Sequence, residues 1–257
     1  MPYIARPHFG LRRPRSGVRG SDVAGTVETV GKDVKRLAVG DEVIGSGAGT
    51  FAEYAIAAET NLVPKPADLT FEQAASAPMT GLTALQALRD VGKVQPGQKV
   101  LINGAGGGIG TFAVQIARSF GAEVTDVCST SKVDRVRSLG ADHVIDYTQE
   151  DFTQGDERYG FILVKAPLLS LFVSQRIHSV HLSSEQDDLF ALRELLESGK
   201  VTTIIGRTYP LSQTPEAIAC FGEGHARGKV GVTAERSAGR RGSVGPRQRR
   251  PGPRAGT

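Results

Sequence analysis

Tryptophan is absent from the chain, and cysteine and methionine occur only twice each. Two thiols far apart in sequence, Cys128 and Cys220, cannot build a disulfide framework or a four-thiolate zinc site. That excludes the disulfide-stapled secreted class and fits a reducing compartment. No apolar run approaches the roughly 20 residues a membrane-spanning helix needs, and no signal-peptide pattern opens the chain. The cytoplasm is therefore the expected location. The first twenty residues hold five arginines and no acid, as transit peptides do. They carry Pro and Gly and no amphipathic period, which favours a loop.

Charge is misleading when taken whole. The chain has a net charge of +4, but residues 234–257 hold seven arginines and one glutamate, so the rest carries −2. A phosphate-binding body needs a positive face, so this balance argues against a nucleic-acid-binding protein. The tail of Arg, Gly and Pro has almost no apolar content to offset its ordering entropy. It reads as disordered, and nucleic-acid binding through it is the less favoured alternative.

What remains is an ordinary globular composition, 39% apolar and 23% charged, long enough for two modest domains or one large one. Residues 21–30, 41–44 and 51–56 are short β-type runs divided by glycines, a small β unit. Thr70 caps a helical pattern over 71–89, with Gln73 at its third position and breaks at Pro78 and Gly81. Strand and helix then alternate: strands 99–103, 122–128, 143–147 and 161–164, helices 111–120 and 133–139. That alternation signals a parallel sheet with helices on its faces. Further on come a short helix at 167–176, strands at 177–182 and 201–205, an amphipathic helix at 185–198, a helix at 214–224 and a last strand at 229–232.

The strongest motif is Lys99-Val-Leu-Ile-Asn-Gly-Ala-Gly-Gly-Gly-Ile-Gly110, set between a strand and a helix. Tight glycine turns let the backbone approach a diphosphate, and the following helix offers free N–H groups and the positive end of its dipole. Gly107 and Gly110 fill the second and third glycine roles, and Ala105 takes the first beside Gly104. Cofactor choice turns on the end of the second strand. Asp126 lies inside that strand rather than at its tip, which reads Cys128-Ser-Thr-Ser-Lys132. The hydroxyls of Ser129 and Thr130 and the ammonium of Lys132 suit a 2′-phosphate, so NADPH is expected over NADH. His178 and His181, the one close histidine pair, would point to opposite faces of a strand, so no metal is expected.

These residues resemble the quinone oxidoreductase (zeta-crystallin-like) branch of the medium-chain dehydrogenases. The resemblance rests on Gly20-Ser-Asp-Val-Ala-Gly-Thr-Val-Glu-Thr-Val-Gly31, Gly40-Asp-Glu-Val43, Gly49-Thr-Phe-Ala-Glu-Tyr54, Gly81-Leu-Thr-Ala84, the glycine loop, and Gly140-Ala-Asp-His-Val-Ile-Asp-Tyr147. It implies an α/β fold: a Rossmann-type parallel sheet domain plus a truncated GroES-like β domain. Residues 1–90 would form the GroES-like part and 91–190 the Rossmann domain. Residues 191–233 would return to the catalytic domain, ahead of a tail at 234–257. By position, Gly107, Gly108 and Ile109 would line the pyrophosphate, and Ser129, Lys132 and Tyr147 would hold the 2′-phosphate. Thr83 would approach the nicotinamide, with helix packing as its plainer role, as strand-end packing is for Tyr147. Tyr3 falls in the region that reaches the cleft. Zinc-dependent relatives carry a His-Glu pair where this chain has Ser21-Asp22, so the branch is zinc-free.

The implied reaction is hydride transfer from NADPH to a quinone or α,β-unsaturated carbonyl, in a homodimer. A short-chain dehydrogenase is a poor alternative, since no tyrosine has lysine four positions later. Three departures from the family stand out: missing early strands before Met1, a missing helix and strand after Val164, and the basic tail. Residues 177–182 are expected to take the fifth strand's place in a 3-2-1-4-5 sheet. Hydride transfer depends on near-ångström positioning, so a catalytically inactive nucleotide-binding remnant is the alternative.

Overall fold

The computed structural model describes residues 19–151, 158–164, 185–222 and 228–234. Tyr3, the pair His178 and His181, the segments 167–176 and 177–182 and the basic tail beyond Ala234 lie outside these.

The first lobe is an antiparallel sheet of three short strands, β1 (Asp22–Thr26), β2 (Glu42–Ser46) and β3 (Leu62–Pro64), in that order. Ile44 faces Ala24 on one side and Val63 on the other, and both Ile44 and Val63 are fully buried. The expected strand at 51–56 does not form. Only a single bridge joins Ala48 to Ile56, and Tyr54 and Ile56 stand 70% and 85% exposed. The third strand comes later, at β3, where Pro64 ends a three-residue run that a hydropathy period cannot reveal.

The pattern over 71–89 becomes two helices, α1 (Phe71–Ala75) and α2 (Pro78–Gln86), followed by a π-turn at Ala87–Val91. The capping box is present: Gln73 N–H donates to the Thr70 hydroxyl at 3.2 Å, and Thr70 N–H to the Gln73 side chain at 2.9 Å. Pro78 starts α2, the position where its missing N–H costs nothing.

The second lobe is a wholly parallel sheet. It contains β4 (Lys99–Asn103), β5 (Glu123–Cys128), β6 (His143–Asp146) and β7 (Phe161–Val164), ordered β6-β5-β4-β7. Helices α3 (Gly108–Ser119) and α4 (Val133–Ser138) make the crossovers. This is the 3-2-1-4 part of the expected order; the fifth position falls outside the described residues. Val100, Ile102 and Val124 pack with Phe112, Ile116 and Ala117 of α3 in one core.

Helix α5 (Gln186–Glu197) lies against both α2 and β3. Gly81 of α2 meets Leu192 so closely that a Cβ would sit 2.7 Å from its Cδ1. Asp188 accepts hydrogen bonds from Gln86 and Arg89, both at 2.6 Å. The strand expected at 201–205 begins only at its end. Gln115 instead accepts the Thr202 N–H at 2.8 Å and donates to its carbonyl at 3.0 Å, supplying in side-chain form what a strand neighbour would. The chain then forms β8 (Ile205–Pro210), α6 (Thr214–Gly222) and β9 (Lys229–Thr233), with β8 and β9 parallel and packed near α1.

One residue violates the core's chemistry. Asp126 sits mid-strand in β5 between Ile102 and Val144, fully buried, and neither carboxylate oxygen has a hydrogen-bond partner among the described residues. Burial, then the nearby Asp142, pushes its pKa up to about 8. The folded pKa is raised above the unfolded one, so the native state holds the extra proton. Stability therefore falls as pH rises from about 4 through about 8. Asp126→Val should remove that slope and gain about 2–5 kcal/mol at pH 8.5, less at pH 5. Urea denaturation at the two pH values measures it, and an unchanged slope in the variant would refute the assignment.

Candidate dinucleotide site

β4 delivers the chain into the glycine turn with the backbone paired to the last moment: Gly104 N–H donates to the Val127 carbonyl at 2.9 Å. Gly104 then takes φ +88, a left-handed conformation that favours glycine. Gly107 N–H closes the turn on the Gly104 carbonyl at 3.0 Å, and Gly107 itself is extended as the N-cap of α3. Having no side chain, it offers no cap. The first amides of α3 therefore lack an intrahelical acceptor, the condition for holding an anion.

Each glycine of the loop meets a different neighbour. A Cβ on Gly110 would overlap the Gly104 carbonyl and the Ala105 backbone, so helix and turn touch there, and Ala105 is fully buried. A Cβ on Gly106 would overlap the aliphatic stem of Lys132. One on Gly108 would reach the Thr80 methyl at 3.4 Å. Ile109 is half-buried and packs on the core.

The β5 tip lies beside this loop. Ser129 precedes a 3-10 turn at Thr130–Lys132, closed by Lys132 N–H on the Ser129 carbonyl at 2.8 Å. Because Lys132 lies across Gly106, the residues expected at the 2′-phosphate and those expected at the diphosphate form one continuous surface. Tyr147, 56% exposed, joins it from the end of β6 through its N–H to the Cys128 carbonyl at 3.1 Å. Thr130 behaves differently. Its hydroxyl bonds the Asp146 carboxylate at 2.5 Å and the Thr148 hydroxyl at 2.9 Å. The Thr130 bond, foremost, and those from Thr148 hold the Asp146 carboxyl below its usual range. A carboxylate thus stands near a tip where the sequence shows none.

Thr83 spends its hydroxyl on the Met79 carbonyl at 2.6 Å, one turn back in α2. It is Thr80, three residues earlier on that helix, that touches the glycine loop. Sequence reading also missed the C-terminal wall. A parallel bridge joins Gly107 to Gly228, and Lys229 pairs with Asp22 of β1 at 2.5 Å. The other Asp22 oxygen accepts the Met79 N–H at 3.0 Å. The loop thus lies at the junction of both lobes. Spacing Thr80 one turn from Thr83 could have marked it; nothing local marks Asp22 or Gly228.

Cys128, at the β5 end, is buried, and burial foremost pushes its thiol up to about 11, which makes it a poor nucleophile. Among the described residues no group of three or more His, Cys, Asp or Glu is arranged to hold a metal ion. Among them, too, no helix is long and apolar enough to cross a membrane.

Comparison with known proteins agrees with this geometry. Residues 4–67 match the alcohol dehydrogenase GroES-like domain, and residues 108–158 and 161–232 match zinc-binding dehydrogenase families. A mitochondrial NAD(P)H oxidoreductase of Mus musculus is 33% identical over 274 residues, covering 83% of this chain and 69% of that protein. A chloroplastic quinone-oxidoreductase of Triphysaria versicolor is 30% identical, covering 89% and 83%. The quinone oxidoreductase structure from Coxiella burnetii superposes with a TM-score of 0.77 at 28% identity, over 86% of this chain and 80% of that one. Both sequence relatives are organellar proteins by name, in contrast to the cytoplasm expected from composition.

The contact at Gly110 can be tested directly. Gly110→Ala forces helix and turn apart, an overpacking cost of about 1–3 kcal/mol that should lower Tm by roughly 3–10 °C. Gly25→Ala, where a Cβ meets nothing within 4 Å, is the control. Equal melting of the two variants would show that the loop tolerates a side chain there.

Proposed function

The chain belongs to the quinone oxidoreductase family of medium-chain dehydrogenases, and from that we propose that it transfers hydride from NADPH to a quinone or another α,β-unsaturated carbonyl. The observation that carries the NADPH part is Lys132, whose stem lies across Gly106. That stem runs from the β5 tip to the glycine loop, and a phosphate on the ribose 2′-oxygen would be met by its ammonium. Ser129 and Tyr147 flank that point, and Asp146 is drawn off by Thr130 and Thr148.

The dinucleotide fits the residues present. Gly107 is extended, the first α3 amides are free of intrahelical acceptors, and glycines stand where a larger residue would fill the approach. Bound there, NADPH supplies the hydride, and the protein supplies orientation and a cleft that excludes water. Thr80 and Thr83 lie on the α2 face that borders the loop, Thr80 in contact with it. A quinone is itself a doubly conjugated enone, so one site could serve both acceptor classes. The oxyanion that develops on either would be stabilised by hydrogen-bond donors in place of zinc. A homodimer in a reducing compartment, the cytoplasm, completes this reading.

The second reading, an inactive nucleotide-binding remnant, is favoured by one observation. The Thr83 hydroxyl is satisfied inside its own helix rather than turned outward. Steady oxidation of NADPH with a panel of quinones and alkenals decides between them: turnover supports the enzyme, and background rates with intact NADPH binding support the remnant. Lys132→Ala should weaken NADPH about tenfold, the worth of one charge-assisted phosphate contact, and leave NADH within about twofold. Tighter binding of NADH than NADPH by the unaltered protein would overturn the cofactor assignment.

A further inference from the structure

The glycine loop is not open on every side. A parallel bridge pairs Gly107 with Gly228; the Gly107 N–H is held by the Gly104 carbonyl at 3.0 Å and the Lys229 N–H by Ile204, so it is the Gly108 amide that the bridge sets against Gly228. That amide belongs to the cradle that a diphosphate would use. Gly228 is held where it is by its own geometry. Its φ is +96, and a Cβ there would overlap the Ile204 carbonyl, which also accepts the Lys229 N–H at 2.8 Å.

The next residue fastens this segment to the opposite lobe. The Lys229 ammonium lies 2.5 Å from Asp22, across 207 residues of sequence, with side chains only 22% and 14% exposed. Asp22 in turn accepts the Met79 N–H at the start of α2. The ion pair is too sheltered to be a solvated surface contact. It ties β1, α2 and β9 together directly beneath the loop.

We propose that Asp22, Lys229 and Gly228 form a latch that closes the glycine loop in the nucleotide-free protein, and that a dinucleotide binds by displacing Gly228 from it. This rests on the reading that the loop accepts a dinucleotide diphosphate. The latch lowers apparent affinity by the fraction of molecules in which it is open. Ligand and latch compete for the space at the Gly108 amide, so opening the latch should tighten binding.

Asp22→Asn keeps an oxygen for the Met79 N–H and removes the charge that holds Lys229. NADPH should bind this variant about fivefold to tenfold more tightly than the unaltered protein. Affinity that is unchanged or weaker in a folded variant overturns the latch while leaving the dinucleotide reading intact. If neither protein binds NADPH, both fall. A second measurement needs no variant. In hydrogen exchange on the unaltered chain, saturating NADPH should raise protection at 107–110 and lower it at 229–233. Protection that rises or stays constant at 229–233 means that nucleotide docks without displacing Gly228, and the latch is wrong.

Discussion

The closeness with which α3 approaches the turn after β4 governs everything else at this site. Gly110 has no room for even a methyl group against the Gly104 carbonyl and the Ala105 backbone. That contact fixes where the helix begins, and so where its unpaired amides point. A helix set back by one ångström would carry the same amides and dipole, aimed past any phosphate held at the sheet. The left-handed Gly104 serves the same end by turning the chain sharply while its N–H still belongs to the sheet.

What could be read from sequence was what is local. A glycine turn between a strand and a helix needs only contiguous residues, so its position was legible, as were all four strands of the parallel sheet and the capping box at Thr70. The errors have local causes too. Residues 51–56 alternate like a strand, yet among the described residues no neighbour supplies more than a single bridge, and Tyr54 and Ile56 stay exposed. β3 was hidden because three residues ending in proline give no period. Residues 201–204 resemble a strand because Val201 is buried, but the Gln115 side chain takes the hydrogen bonds at Thr202.

The site followed the same rule. Lys132 was legible as a residue of the β5 tip, but its passage across Gly106 depends on the turn that follows Ser129. Asp146 was invisible as a neighbour of that tip because only the side-by-side pairing of β5 and β6 brings it there. Asp22 and Lys229 lie near opposite ends of the chain and meet only when both lobes are assembled. Asp126 was correctly placed within its strand, yet a one-dimensional reading cannot count the hydrogen-bond partners around a buried carboxylate.

The stitching of distant segments has a bearing on how the chain reaches its structure. The first lobe's helix α2 packs on α3 and also on α5, which follows more than a hundred residues later, and β1 finds Lys229 only in the last described strand. Loop-closure entropy must be met before such contacts give anything back. Strand neighbours within each sheet are comparably close in sequence, β1 with β2 and β4 with β5, so both sheets can begin to order before β9 is made. What closes last is therefore the seam between β1 and β9.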